Sequence, residues 1–436
     1  MSRLLKILAP LALVVFIIAP GVTGFLVKSS IDKAETGYGQ AIEKGPFKLV
    51  ENNFERGWFS SDQTLELDVT DSEFASILHV IGGYTDATDM PSLVIETTAT
   101  HGVIPLASPS QGGLRPAIAQ TESTITLKYD DGELVPLPVK VYSSLGTGQW
   151  ARLVAEPLNR LSPDGTSTVN WEGADVSASF GKTTRYDGRI GAFDLDSPEA
   201  RLQSSPINID GSFTKTKFAF DESQSSMSME KLTVTPAAAT GQMPIVLNDF
   251  KANGNLEVDG ARAVVTSNIN IGAVENSNLN ILGIEIASNF DVDAEALSAV
   301  TVETRKNQTN QELSAQDAEA LFAALSALLT KGGHMKFDKF DIAVEGGTLS
   351  MDLDVDLPPG SMTPMEAMSQ GKASGNVVIP ESVVEALSAV SPDITNSLNM
   401  AAMMGFVQQK DNAYRAEVSY ANGVLMLNDL PVPVPF

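Results

Sequence analysis

Ile7-Leu-Ala-Pro-Leu-Ala-Leu-Val-Val-Phe-Ile-Ile-Ala-Pro-Gly-Val-Thr-Gly-Phe-Leu-Val27 is a stretch of 21 residues without a charged side chain. About 20 apolar residues, each rising ~1.5 Å along a helix, cross the ~30 Å hydrocarbon core of a bilayer. Pro10 and Pro20 would kink a soluble helix, whereas a membrane span tolerates them. The sequence therefore predicts an anchor within residues 1–28 and a separate body over residues 29–436.

The charges that flank this stretch indicate its orientation. Arg3 and Lys6 precede it and Lys28 and Lys33 follow it, so the α-amino group tips the positive charge toward the leading end. Positive flanks stay in the cytoplasm, which predicts a single pass with the acidic body on the exported side. A cleaved signal peptide is the alternative, and a buried helix of a cytosolic protein is a third. We favour an uncleaved anchor, because the run exceeds an apolar core of about 7–15 residues and no Ala-x-Ala site follows.

The composition excludes several classes of function. The chain has 436 residues, a formal net charge of −25 and no cysteine. Nucleic-acid binding calls for a basic patch, so nucleic acid is not an expected partner. Without cysteine the chain has no disulfide, no thiolate nucleophile and no cysteine-ligated metal.

The body is predicted to be a succession of β-strands. Turn signals such as Asn253-Gly254, Asp259-Gly260 and Asn422-Gly423 separate the strand candidates. Long neighbours joined by tight turns predict an antiparallel meander and not βαβ units. The candidates are Ser92–Thr100, Ser123–Tyr129, Ser167–Phe180, Tyr186–Leu195, Ile207–Phe220, Ser226–Val234, Ile245–Val258, Ala263–Ile271, Leu279–Phe290, Lys336–Val344 and Thr348–Leu357.

A few helices are predicted to cover this sheet. Gln311–Lys331 carries a broad apolar stripe, begins with a capping pair of Ser314 and Asp317, and ends at Gly332-Gly333. A weak domain boundary is predicted in the polar stretch Ser197–Pro206. Shorter helices are predicted at Asp71–Gly82, Pro364–Ser369, Glu381–Val390 and Ile394–Gln409. The fold class is thus α+β: an N-terminal transmembrane helix followed by a large body of long antiparallel β-strands with a few covering helices.

Two motifs carry a resemblance to a known family. The segment Phe54-Glu-Arg56-Gly57-Trp58-Phe59-Ser60-Ser61 lies between two predicted strands as a hinge, and the segment Tyr414–Asn428 is predicted to be a closing hairpin. These features, together with the single N-terminal span, resemble the YdgA-like family of bacterial envelope proteins, a domain of unknown function. The resemblance spans nearly the whole chain and implies a periplasmic protein anchored in the inner membrane, with no catalytic residues to carry over. Asp429 stands where the family leads us to expect glycine.

No catalytic or metal-binding pattern emerges from the polar residues. His79, His101 and His334 are scattered without metal-ligand spacing, and neither a Gly-x-Ser-x-Gly elbow nor a phosphate-binding glycine loop occurs. Asp352, Asp354 and Asp356 alternate with apolar residues, which predicts one solvated strand face and not a calcium loop. We therefore predict no catalytic residue, no metal site and no cofactor.

Six methionines near the C-terminus are the candidate contacts with a ligand or partner. Methionine is flexible and polarizable, which suits surfaces that accept varied apolar groups. Core packing is the competing interpretation, as it is for Trp58 and Phe59 of the hinge motif. The six candidates are Met362, Met365, Met368, Met400, Met403 and Met404.

Three functional hypotheses follow. The first is a non-enzymatic binding or scaffold protein of the bacterial envelope, held at the inner membrane by Ile7–Val27, with envelope proteins as partners and a homo-oligomer possible. The second is a carrier or sensor of a lipid or other apolar ligand that uses a curled sheet as a groove. The third is a hydrolase of envelope polymers with paired carboxylates. Complete coverage of the apolar sheet face by the chain's own helices would contradict the second hypothesis.

Overall fold

A computed structural model describes residues 47–57, 60–70, 75, 78, 90–101, 119–129, 132–145, 149–161, 166–198, 200–237, 243–276, 280–307, 314–360, 363–388 and 393–432. The predicted anchor Ile7–Val27 lies outside these ranges. Within them, no helix is both long enough and apolar enough to cross a membrane. Internal contacts divide the chain into unit 1, which ends at Pro198, and unit 2, which begins at Glu199. This division falls in the stretch Ser197–Pro206; whether the units are independent domains stays a prediction.

Unit 1 is an antiparallel sheet with strand order β1-β2-β3-β4-β5-β6-β9-β10. A smaller set of three strands pairs in the order β7-β8-β11. The strands are β1 Phe47–Arg56, β2 Ser60–Val69, β3 Ser92–His101, β4 Ala119–Lys128, β5 Leu134–Leu145, β6 Trp150–Ala155, β7 Leu158–Leu161, β8 Thr168–Trp171, β9 Ala174–Ser179, β10 Thr183–Ile190 and β11 Phe193–Asp196.

The core of unit 1 lies on one face of β2–β5. Alternate residues of these strands are apolar and meet across the sheet, as in the aligned pairs Leu67–Leu93 and Leu93–Leu127. Leu127 is fully buried, and Ala75 and Leu78, which are helical, pack into the same cluster. The rest of the helix predicted over Asp71–Gly82 lies outside the described residues.

Unit 2 is a wider antiparallel sheet with long strands. Strands β14 to β20 pair in sequence order, β22 follows β20, and β23 and β24 complete that edge. Strands β12 and β13 both pair with β14, and β21 pairs with β22. The strands are β12 Ala200–Ser204, β13 Ile207–Thr214, β14 Glu222–Pro236, β15 Ile245–Asp259, β16 Arg262–Glu275, β17 Ile281–Asp293, β18 Gly333–Val344, β19 Gly347–Leu357, β20 Lys372–Pro380, β21 Gln408–Lys410, β22 Ala413–Ala421, β23 Val424–Leu427 and β24 Leu430–Val432.

The helices of unit 2 lie in the connections between strands. The predicted helix Gln311–Lys331 is confirmed over Ala315–Thr330, where Ser314 caps the first turn by accepting a hydrogen bond from the Asp317 amide. Helix Ala294–Asn307 was not predicted, because its periodic apolar stripe is weak. The helices are α1 Ala294–Asn307, α2 Ala315–Thr330, α3 Pro364–Gln370, α4 Glu381–Ser388 and α5 Asp393–Met403. The mainly antiparallel β architecture with a few helices is therefore as predicted.

Several predicted boundaries were wrong, and glycine explains the clearest of them. The single strand predicted over Ser167–Phe180 is divided into β8 and β9 at Gly173, which has φ +87°. A Cβ atom at Gly173 would lie 2.2 Å from the Ala155 carbonyl oxygen, so only glycine permits this close approach. The helix predicted over Ile394–Gln409 ends at Met403, two residues before Gly405 with φ +81°.

The closing hairpin ends in a turn that the sequence made uncertain. Asn428 and Asp429 both have positive φ, 46° and 64°, which is the combination of a type I′ turn between β23 and β24. The Asn428 side chain donates to the Phe406 carbonyl oxygen and accepts from the Glu417 amide, each at 2.9 Å. Asparagine thus fixes the turn to two other segments of unit 2, and Asp429 adopts the conformation expected of glycine.

We expect Asn428→Ala to lower the free energy of unfolding of unit 2 by about 1–3 kcal/mol, because both side-chain hydrogen bonds are lost and their partners remain. Asn428→Gly loses the same bonds but adopts positive φ without strain, so it should be less destabilising. Urea unfolding followed by far-ultraviolet circular dichroism measures both variants. An alanine variant as stable as the parent would show that these bonds do not stabilise the hairpin.

Candidate functional site

The strand register of unit 2 places apolar residues of nine strands on one side of the sheet. Directly paired residues of antiparallel strands project from the same face, and successive residues alternate between faces. Ile286 of β17 pairs with Ile269 of β16 and with Phe340 of β18. The row that contains them runs through Ile209, Met227, Ala252, Ile269, Ile286, Phe340, Met351, Val377 and Ala416. We call this side of the sheet the apolar face.

Two further rows of the apolar face have a similar character. One row contains Ile207, Met229, Phe250, Ile271, Ile284, Ile342 and Leu349. Another contains Phe213, Ser223, Leu256, Val265, Phe290, Met335, Val355, Ala373, Tyr420, Leu425 and Val432. None of these three rows includes a charged side chain. The row between Ile286 and Phe290 is small and polar from β13 to β17, with Gly211, Ser225, Gly254, Ser267 and Ser288, and mainly apolar from β18 to β22, with Phe337, Leu353, Gly375 and Val418.

The centre of the apolar face is only half-buried. Met227 is 39% exposed and the other members of the Ile286 row are partly accessible, while Phe213 of the Phe290 row is 40% exposed. In unit 1, by contrast, the corresponding core residue Leu127 is fully buried. Within the described ranges, therefore, no layer of helices covers the middle of this face, and the condition that would contradict an apolar groove is not met.

The helices of unit 2 pack at the ends of the strands. Helix α1 packs Ala294 and Leu297 into a cluster with Phe220 and Ala263, where β16 begins and β17 ends. Helix α4 buries Val383 and lies against β19 and β20. It packs where β19 begins and β20 ends, which is the end of the sheet opposite to α1. The uncovered region of β16 from Val265 to Ile271 is about 20 Å long at ~3.3 Å per residue.

The four candidate methionines whose side chains are described are exposed, but they do not form one cluster. Met365, on α3, is 61% exposed, and Met403, on α5, is 83% exposed. Helix α3 joins β19 to the start of β20, whereas α4 and α5 follow the end of β20, so the two groups lie at opposite ends of that strand. Met400 and Met404, which are close to Met403 in sequence, are 56% and 52% exposed. Met362 and the side chain of Met368 lie outside the described residues, and a contact role for the six stays a prediction.

The hinge motif forms the connection between β1 and β2. Arg56 ends β1 and pairs with Ser61, and the Gly57 amide donates to the Ser60 carbonyl oxygen at 2.8 Å. A Cβ atom at Gly57 would lie 2.5 Å from that oxygen, which explains the glycine. Trp58 and Phe59 lie outside the described residues.

The opposite side of the unit 2 sheet, the polar face, holds paired charges. His334 Nε2 lies 2.8 Å from Asp354 Oδ1, and Asp352 accepts hydrogen bonds from Asn376. The Lys336 ammonium lies 2.5 Å from Asp338, whose carboxylate raises the pKa of that lysine. Among the described residues, no three histidine, aspartate or glutamate side chains are grouped to hold a metal ion.

Sequence reasoning proposed an apolar groove on a curled sheet, but it named no residue of the apolar face and no site on the polar face. The alternation of each strand was visible, but the row from Ile209 to Ala416 depends on the register of nine strands. The signal available in the sequence was that, in several of the predicted strands, the alternate positions on one face include no charged residue.

Comparison with known proteins gives one match. The family model for a bacterial protein of unknown function, DUF945, matches residues 1–435. No curated protein and no solved structure matches the chain. The family match includes the predicted anchor as well as both units.

Proposed function

This chain belongs to DUF945, a family of bacterial proteins of unknown function, and from this premise we propose that it is a non-enzymatic lipid-binding protein of the bacterial envelope. Ile7–Val27 holds it in the inner membrane with its N-terminus in the cytoplasm, and the body lies in the periplasm. The apolar face of unit 2 takes up the hydrocarbon part of the lipid. The resemblance to YdgA-like envelope proteins supports this location.

The observation that carries the proposal is the size of the uncovered apolar face. Nine strands at ~4.8 Å spacing make it about 40 Å wide, and its uncovered length is about 20 Å. The product, about 800 Å², is the footprint of the face, and it can hold an exposed apolar patch of about 300–600 Å², the size that is often functional in monomeric soluble proteins. Such a surface is typical of a binding site, because its exposure to water is unfavourable.

An acyl chain fits this surface in length and in chemistry. Each leaflet contributes half of the ~30 Å hydrocarbon core, so one acyl chain spans about 15 Å. This length fits within the uncovered region from Val265 to Ile271. The three rows offer aliphatic and aromatic side chains without a charge, and hydrocarbon gains free energy by leaving water for such a surface.

A protein partner is the second candidate ligand, supported by the exposed methionines. Met400, Met403 and Met404 present flexible apolar side chains to solvent at one end of the sheet. In this alternative the chain is a scaffold for envelope proteins or for a second copy of itself.

We expect p-benzoylphenylalanine in place of Phe340 to crosslink to lipid in living cells, because residue 340 lies at the centre of the apolar face. Bacteria that express the full chain are grown with radiolabelled acetate to label acyl chains, irradiated, and the protein is purified under denaturing conditions. The increase in protein-bound radioactivity over an unirradiated sample measures covalent lipid.

Asp341 provides the matched control, since it is the next residue on β18 and projects from the polar face, paired with Glu285 and Ser350. Strong labelling from position 340 and little from position 341 would support the lipid site. Equal labelling would contradict it. A discrete protein adduct from position 340 without lipid would favour the scaffold or a second copy.

A further inference from the structure

The polar face contains a concave depression that the lipid site does not use. It has a volume of about 310 Å³ and extends across β13 to β18. Its floor is the backbone of alternate residues such as Gly254 and Ser267, whose side-chain positions belong to the apolar face. Its sides carry Asp210, Gln224, Ser226, Asn253, Asn255, Thr266, Asn268, Asn289 and Asp338. We call this depression the polar trough.

Amides line the polar trough in two parallel rows. In the first row, Asn253 pairs directly with Asn268. In the second row, Gln224 pairs with Asn255, Asn255 with Thr266, and Thr266 with Asn289. Neighbouring strands are ~4.8 Å apart, so each row presents a hydrogen-bonding side chain at that interval. Each amide offers both a donor and an acceptor group.

The amides of the polar trough are available to a ligand. Within the described part of the chain, the side chains of Gln224, Asn253, Asn268 and Asn289 make no hydrogen bond to another residue. Asn255, by contrast, donates to Glu257 at 2.9 Å. The trough therefore contains four side chains with unused donors and acceptors that converge on one depression.

Both carboxylates at the polar trough already have a partner. Asp210 accepts a hydrogen bond from Ser226, and Asp338 is held by Lys336. Elsewhere the polar face relies on ion pairs such as Lys339 with Glu285 at 3.1 Å. A lining of amides and hydroxyls with no free cation among the trough residues does not suit an anionic ligand, whereas it complements neutral hydroxyl groups.

We propose that the polar trough binds a neutral oligosaccharide. Sugar hydroxyls both donate and accept hydrogen bonds, which matches the amide side chains. An extended sugar chain repeats its hydroxyl groups at an interval close to the spacing between strands. The sugar chain therefore lies across the strands, with one sugar ring over each of β14 to β17. The side chains below successive rings are Gln224 and Ser226 on β14, Asn253 and Asn255 on β15, Thr266 and Asn268 on β16, and Asn289 on β17.

The test measures binding of tetrasaccharides to the full chain in a detergent that carries no sugar head group. The probes are chitotetraose, cellotetraose and maltotetraose, and saturation-transfer nuclear magnetic resonance gives their dissociation constants. We expect saturable binding of at least one probe. We expect the double variant Asn253→Ala and Asn268→Ala to weaken it at least tenfold, since this pair lies at the centre of the trough.

Asn270→Ala is the matched control, because Asn270 lies on the same strand and face as Asn268 but outside the trough. The control should leave the dissociation constant unchanged. Failure of all three probes to bind, or equal weakening by the control, would overturn the proposal. Lipid crosslinking from position 340 in the double variant reports separately on the apolar face, so the two proposals fail independently.

Discussion

Ile269→Glu is expected to reduce lipid crosslinking from p-benzoylphenylalanine at position 340 at least tenfold. Ile269 lies in the same row of the apolar face as Phe340, separated from it only by Ile286. A glutamate there must be desolvated or protonated when an acyl chain covers it, and either costs several kcal/mol without a partner. A loss of 1.4 kcal/mol already corresponds to a tenfold change in affinity.

The neighbouring substitution Asn270→Glu separates this effect from a change in total charge. Asn270 is exposed on the polar face and is adjacent to Ile269 in sequence. The substitution adds the same charge to the same strand, but the new side chain projects from the polar face and does not contact the lipid. Limited proteolysis compares the folding of unit 2 in the two variants. If both variants retain crosslinking, or if both lose it with intact unit 2, hydrocarbon does not bind along this row.

Leu127→Ala is expected to lower the free energy of unfolding of unit 1 by about 2–5 kcal/mol, the range for buried leucine truncation. Leu127 is fully buried within the cluster that contains Leu67, Leu93 and Val135. Truncation removes buried methyl groups and leaves a cavity, because a sheet held by hydrogen bonds collapses only partially. This is the largest effect on stability that we expect from a single conservative change.

Tryptophan fluorescence during urea unfolding measures this effect in unit 1 alone, because all three tryptophans, Trp58, Trp150 and Trp171, precede Pro198. Leu134→Ala is the control with the same chemical change, since Leu134 lies in the same sheet but is 60% exposed. The control should cost less than about 0.5 kcal/mol, as surface substitutions usually do. Similar losses at the two positions would show that Leu127 does not pack in the core of unit 1.

The regular elements of unit 2 followed largely from local sequence. Alternation of apolar and polar residues predicted β15 and β19 nearly to their ends, and Ser314 with Asp317 predicted the start of α2. The prediction failed where a single glycine reversed the local conformation, as at Gly173, because its φ depends on the approach of a distant carbonyl group.

The candidate methionines show the same limit at the level of the site. Their spacing in sequence indicated one group, but β20 separates Met365 from Met400, Met403 and Met404. Proximity along the chain does not imply proximity in space when a strand of nine residues lies between two helices. The exposure of these side chains also depends on packing that no local pattern records.

The sequence by itself determined the uncharged stretch Ile7–Val27, the antiparallel class of the body and the residues of each strand that share a face. These features depend on composition and on a period of two residues, which are local properties. Only the tertiary structure decided that nine strands align their apolar residues, that the helices pack at the strand ends, and that four free amides converge in one trough. Register and coverage depend on contacts between residues far apart in the chain, so no single segment encodes them.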